Sequence, residues 1–197
     1  HLRTVNEASE NYKTLSNHLL KKNLDDDTAE GERARAAVEK DIVAAKTREF
    51  KTLGVVLGAC YESSPIIVSD GSTPPTEHFA NYQPSAHPGC LAPHAWLADG
   101  TSLYDRFGLG CNLLLLADSG ASLAQDIETA ASDAGVPLSI LDLRRDDLAG
   151  RYGAPLALVR PDQYVAWRGS SADAAALIET ICGRSPATAQ NLISATV

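Results

Sequence analysis

Four consecutive leucines, Leu113–Leu116, followed by Ala117 and Asp118, constrain this 197-residue chain more than any other stretch. A short apolar run without helical spacing is the pattern of a strand buried on both faces. Such a strand needs a covering layer on each side, and the following sequence provides elements that could form them. A helix is expected over "LAQDIETAASDA", with Ser122 and Gln125 at capping-box spacing and Gly135 at its end. Next come a strand in "PLSILDL" and a short helix in "DDLAGRYG" that stops at Gly153. "PLALVRP" and "QYVAWRG" then read as strands joined by a turn at Pro161–Asp162. A last helix, "SADAAALIETICG", is capped by Ser170 or Ser171 and closed by Gly183. The order β-α-β-α-β-β-α places this half of the chain in the α/β class.

That order is the thioredoxin-like arrangement, in which one βαβ unit precedes an antiparallel hairpin and a final helix. The step Ala154–Pro155 falls where such folds carry a cis proline. The dithiol is missing, however. "ADSGASLAQD", between the first strand and first helix, contains no cysteine, and thiol–disulfide exchange there requires a thiolate. The scaffold is therefore expected to lack CxxC chemistry.

The amino-terminal part reads differently. In "NEASENYKTLSNHLL", Tyr12, Leu15 and Leu19 form one helical stripe. Asp27 and Glu30 have capping-box spacing for a second helix reaching toward Leu53, with Val38, Ile42, Ala45 and Leu53 on its inner side and Gly54 as its stop. Short strands are expected at Val55–Leu57 and Ile66–Val68, on either side of "YESSP", with a turn at Asp70–Gly71. Prolines 74, 75, 84, 88 and 93 mark an extended connector, because proline fixes φ and withholds a backbone donor. The expected division is 1–71 as the end of another domain, 72–92 as connector, 93–184 as the thioredoxin-like domain and 185–197 as tail. The chain begins at His1 and contains no methionine, so it reads as a piece of a longer polypeptide.

A net charge of −8 without a basic block argues against nucleic acid or an anionic membrane as partner. No apolar run approaches the roughly 18 residues of a membrane span. Cys60, Cys90, Cys111 and Cys182 form no C-x-x-C pair and are expected to be reduced thiols of a cytoplasmic protein, the last two as buried small hydrophobes. His87, Cys90 and His94 could pass for metal ligands, but a fourth partner is lacking and each lies beside proline or glycine. They read instead as a proline-guided strap, with Trp96, Tyr104 and Phe107 as core anchors. Ser63 and Ser64 lack a nucleophile elbow. Asp142, Arg144, Arg145, Asp146 and Asp147 read as a solvated helix entry. No Gly-rich phosphate loop follows a strand. No catalytic or metal residue is therefore assigned, and no cofactor-binding residue is identified. Tyr61 and Pro65, ahead of the connector, are left without a role.

Three long motifs carry a resemblance. They are Pro88–Leu97 ("PGCLAPHAWL"), Asp99–Gly108 ("DGTSLYDRFG") and Leu158–Gly169 ("LVRPDQYVAWRG"). With "LGVVLGACYESSPIIVSDG" ahead of them, they resemble the C-terminal part of class A FAD-dependent aromatic hydroxylases of the phenol and chlorophenol 2-monooxygenase type. The sequence departs from that pattern at Leu91, where the family usually has arginine. The resemblance implies a thioredoxin-like domain without redox cysteines, attached to the tail of a substrate domain, in a homo-oligomeric enzyme. It also implies that FAD is bound mainly by an upstream segment and reduced by NAD(P)H, and that a phenolic substrate is hydroxylated there. The alternative is a free-standing, redox-silent thioredoxin-like binding module.

Overall fold

A computed structural model of the chain describes residues 23–61 and 63–184, together with positions 5, 6, 9, 10, 12, 13 and 16, which are helical. Leu15, Leu19 and the expected tail 185–197 lie outside the described residues. Packing divides the chain into two compact units. One takes His1–Leu57 and Glu77–Tyr82, the other Gly58–Thr76 and Gln83–Val197. Packing thus assigns residues 58–76 to the second unit, ahead of the proline-rich stretch where the sequence suggested a division.

In the first unit, helix α1 (Ala29–Phe50) starts one residue later than the capping-box spacing suggested. Thr28 is the N-cap, and its side-chain oxygen accepts from the Gly31 N–H at 3.1 Å. Val38 and Ala45 are buried as their spacing predicts, whereas Leu53 is exposed. The helix ends at Phe50, and a short helix α2 (Leu53–Leu57) follows. Gly54 therefore does not stop α1. It lies inside α2, and a Cβ there would stand 1.7 Å from the His78 carbonyl oxygen. Only glycine allows that approach. Val55–Leu57, expected as a strand, is helical, and the Val55 N–H donates to the Phe79 carbonyl at 3.2 Å.

The second unit is built on strands β1 (Cys111–Leu115), β2 (Leu138–Asp142), β3 (Leu156–Val159) and β4 (Val165–Gly169). Their order in the sheet is β2-β1-β3-β4. β1 and β2 run parallel, and β3 lies antiparallel to both β1 and β4. Helices α3 (Ala121–Asp133), α4 (Ala149–Tyr152) and α5 (Ala174–Ile181) complete the order read from the sequence. Their stops are as expected, with Gly135, Gly153 and Gly183 at φ between 67° and 70°. Their starts are not. α3 grows out of a 3-10 turn at Asp118–Gly120, which leaves Ser122 inside the helix. α5 is capped by Asp173, whose side chain accepts from the Ala176 N–H at 3.0 Å, rather than by Ser170 or Ser171.

Every residue of β1 is buried, as two-sided burial requires. Leu113 and Leu115 join Ile127, Ala131, Leu177 and Ile178 in a core formed with α3 and α5. Leu114 and Leu116 point to the other face, into a second core with Ala92, Ala95, Leu97, Leu103 and Tyr152. The strap residues 86–97 are therefore the second covering layer of the sheet, with a 3-10 turn (Leu103–Arg106) and α4 beside them. The strap also closes an edge. The Gly89 N–H donates to the Val165 carbonyl at 2.7 Å, the Val165 N–H to the Cys90 carbonyl at 2.9 Å, and the Ala92 N–H to the Gln163 carbonyl at 2.9 Å. Ile66–Val68 is irregular rather than a strand, and the Val68 N–H donates to the Ala166 carbonyl at 2.8 Å.

A bulge in β4 sets the direction of Trp167. Leu158 pairs with Trp167 and Val159 with Val165, so Ala166 is the extra residue of β4 and Trp167 falls on the α3–α5 face. Trp96, expected as a core anchor, is instead 73% exposed, because the Leu97–Thr101 turn presents it outward. Tyr104 and Phe107 are half-buried. Replacing Trp167 by alanine should cost about 3–5 kcal/mol. Trp96→Ala should change stability by no more than about 0.5 kcal/mol. Denaturant unfolding of the two variants checks the contrast.

Candidate functional site

A group of interacting polar side chains in the second unit joins three segments distant in sequence. Arg168, near the end of β4, donates through Nε to Asp70 Oδ2 at 2.6 Å and through Nη1 to the Tyr152 carbonyl at 2.8 Å. Asp70 Oδ1 accepts from both the N–H and the hydroxyl of Ser72, at 2.9 and 2.5 Å. Ser72 Oγ lies 2.7 Å from Nδ1 of the buried His87. The Asp70 side chain is 14% exposed and that of Arg168 19%. Burial alone would raise the Asp70 carboxyl, but hydrogen bonds from Ser72 and Arg168 outweigh it and hold the group below its ordinary 3.8. Sequence reading gave Asp70–Gly71 only as a turn and missed this network. The available signal was the Asp-x-Ser spacing, which favours a local side-chain turn.

The serine–histidine contact invites a hydrolase reading, which the geometry opposes. In a triad the carboxylate holds the histidine nitrogen remote from the serine. Here Asp70 lies on the serine side, 3.9 Å from the same Nδ1. The single hydroxyl hydrogen of Ser72 goes to the carboxylate, so Ser72 Oγ acts as acceptor toward His87. The cluster is a junction that fixes residues 70–72 and 87 against β4.

The three would-be metal ligands are not brought together. His87 bonds to Ser72, His94 Nε2 lies 3.0 Å from Ser102 Oγ, and Cys90 is joined to Cys60. Among the described residues no group of three or more His, Cys, Asp or Glu could hold a metal ion. The Cys60–Cys90 disulfide overturns the expectation of four reduced thiols. The reason is backbone pairing: the Tyr61 N–H donates to the Gly89 carbonyl at 2.8 Å, which places the two Cα atoms 4.4 Å apart. Cys111 is free and buried, and burial pushes its thiol up. Cys182 is free and exposed, contrary to its expected burial. Tyr61 is exposed and packs its ring on Tyr164 with centroids 4.7 Å apart. Pro65 and Ser63 are exposed and Ser64 is half-buried.

The loop after β1, where a thiol site would stand, is closed by other chemistry. The Ala154–Pro155 peptide is trans, and the Pro155 carbonyl accepts from the N–H groups of Leu116 at 2.8 Å and Ala117 at 3.3 Å. Arg144 bridges Asp118 at 2.6 Å and Asp142 at 2.5 Å. Hydrogen bonds from Arg144 hold the exposed Asp142 at about 2. This part of the charge run is therefore an ion network across the loop. A dinucleotide cradle does not fit here either. A phosphate needs close backbone approach at a glycine, but the space beside Gly120 is taken by Leu156, whose Cγ would lie 2.8 Å from a Cβ there.

Residues 85–185, just over half of the chain, match the family described as aromatic-ring hydroxylase, C-terminal. The chain belongs to that family. It is 33% identical over 154 residues to the FAD-dependent monooxygenase opdD of Penicillium oxalicum, covering 75% of this chain and 28% of that protein. It is 30% identical over 186 residues to the phenol 2-monooxygenase of a Pseudomonas species, covering 85% of this chain and 30% of that one. Among solved structures, the rebeccamycin biosynthetic enzyme RebC with reduced flavin superimposes with a TM-score of 0.77 at 33% identity, covering 93% of this chain and 34% of that chain. The chain thus spans less than a third of the length of these two curated relatives.

The Asp70–Arg168 pair has a pH consequence. A carboxyl held below its ordinary value stabilises the fold fully above that value and loses the contribution as pH falls through the lower folded one. Arg168→Gln should cost about 1–2 kcal/mol at pH 7. Asp70→Asn should flatten the loss of stability below about pH 4. Denaturant midpoints measured from pH 7 to pH 3 check both.

Proposed function

We propose that this chain is the C-terminal portion of an NAD(P)H- and FAD-dependent monooxygenase that hydroxylates a phenolic ring, chlorinated phenols included. The observation that carries this reading is the family match over residues 85–185, which takes in the strap and the whole four-stranded sheet. The names of the relatives support it: one is an FAD-dependent monooxygenase and another a phenol 2-monooxygenase.

In this reading FAD is held mainly by an upstream segment of the enzyme that is not in this chain. The flavin, reduced by NAD(P)H, supplies the chemistry with oxygen. The residues of this chain supply structure. Residues 1–71 are read as the end of the FAD- and substrate-binding domain, 72–92 as the link onward and 93–184 as a thioredoxin-like domain, although residues 58–76 and 83–92 pack in the unit that holds the sheet. That last assignment rests on the element order and on the sheet order β2-β1-β3-β4. Its role is structural and in subunit contacts of a homo-oligomer. No helix among the described residues is long and apolar enough to cross a membrane. The proposed location is the cytoplasm.

The test uses the full-length natural protein. It should carry the two visible absorption bands of bound flavin, and phenols should stimulate its NAD(P)H oxidation with formation of an ortho-dihydroxylated product. A colourless full-length protein that takes up no FAD would overturn the proposal and leave the free-standing binding module.

A further inference from the structure

The covalent link between Cys60 and Cys90 stands where the chain changes units. Residues 58–76 pack in the unit that holds the sheet, residues 77–82 in the helical unit, and the chain from 83 on again with the sheet. The disulfide joins the two ends of the loop that makes this excursion, across a sequence separation of 30. The tip of that loop, at Phe79, accepts a hydrogen bond from the Val55 N–H, just ahead of the first cysteine.

The two cysteines are not equally dependent on the link. Cys90 is buried, and its neighbours are held by backbone bonds between Gly89, Cys90 and Val165 and between Ala92 and Gln163. His87 adds its contact with Ser72. The strap therefore stays in place without the disulfide. The other end has fewer ties. Cys60 is half-buried, Ala59 is exposed, and Tyr61 is exposed, its N–H donating to Gly89, its carbonyl accepting from Ser64 in the adjacent turn and its ring touching Tyr164. A disulfide between one buried and one half-buried cysteine, in a unit that already has a two-sided core, has the features of a reversible bond rather than of a staple that the fold requires.

We propose that Cys60–Cys90 is a thiol–disulfide latch that pins residues 59–61 to the strap when oxidised and frees them when a dithiol reduces it. The dithiol's thiolate attacks Sγ of Cys60, the less buried of the two cysteines. The bond to Cys90 breaks, and Cys90 leaves as a thiolate that takes a proton from solvent. The second thiol of the reductant then displaces Cys60 as a thiol and closes the reductant's own disulfide. Two electrons and two protons pass to the protein, and an oxidised dithiol drives the reverse. Neither remaining cysteine is paired: Cys111 is buried with its thiol pushed up, and Cys182 is exposed. The latch stands on this chain's own residues and does not depend on which ring the enzyme hydroxylates.

The experiment takes the full-length protein through a series of oxidised-to-reduced dithiothreitol ratios. Free thiols are alkylated, cross-linked peptides are identified by mass, and amide hydrogen exchange is followed at each poise. The expected result is a 60–90 cross-linked peptide that disappears in one two-electron transition while the protein stays folded. Exchange at residues 59–61 should then quicken by about tenfold or more, with β1, β3 and β4 unchanged. Cys60→Ser and Cys90→Ser should each show the reduced pattern without reductant. Three results would each overturn the latch: no cross-link at any poise, reduction only on global unfolding, or identical exchange in the two forms.

Discussion

Burying a strand on both faces is the constraint on which the sheet unit depends. β1 carries leucine on either side, and each side must be removed from water at a gain of about 1.5–3 kcal/mol per fully buried leucine. One side is met in the ordinary way, by α3 and α5. The other is met largely by a segment with no regular structure of its own. Residues 86–97 can do this because their prolines and alanines present small apolar surfaces and their backbone N–H groups find carbonyls on β4 and its turn. A loop buried in this way would otherwise leave unpaired backbone polar groups in an apolar setting. The strap, more than any helix, makes the unit a closed body.

The polar junction follows from the same requirement. A covering segment without regular hydrogen bonds has to be held at intervals. Tyr152, fully buried, donates its hydroxyl to the Pro93 carbonyl at 2.9 Å, while its own carbonyl accepts from Arg168. Arg168 in turn grips Asp70, and Asp70 grips Ser72 beside His87. Asn112, on β1, is buried and bonds the Gly108 N–H and the Gly110 carbonyl, at 2.8 and 3.1 Å. These contacts tie the strap and the loop before β1 to the sheet at points far apart in the sequence.

What the sequence revealed and what it hid divide along this line. The strands of the sheet, its helix order and the glycine stops at 135, 153 and 183 were legible because each depends on a local pattern: an apolar run, a 3.6-residue period, or a residue that tolerates positive φ. The helix starts were less legible, since Asp173 and Thr28 compete with neighbouring polar residues that could equally cap. Val55–Leu57 read as a strand because three apolar residues carry no period, and the close approach of residues 77–82 at Gly54 decides for a helix. Trp96 was misread because a large aromatic in a motif looks like an anchor, while a turn at residues 97–101 decides its direction. Asp70, Ser72, His87 and Arg168 were hidden as a group because their contacts span nearly a hundred positions. The Cys60–Cys90 pairing was hidden for a similar reason, since only a hydrogen bond between Tyr61 and Gly89 brings the two sulfurs together.

The loop after β1 carries no cysteine, and the space around it is filled. A side chain at position 120 would collide with Leu156, and the amides of Leu116 and Ala117 already share the Pro155 carbonyl. The cation nearest the loop, Arg144, is held between Asp118 and Asp142. A cysteine placed in this loop would therefore meet steric exclusion and neutralised charge rather than a vacant electropositive pocket. Thiol chemistry placed in this loop would require rebuilding its surroundings as well as adding a sulfur.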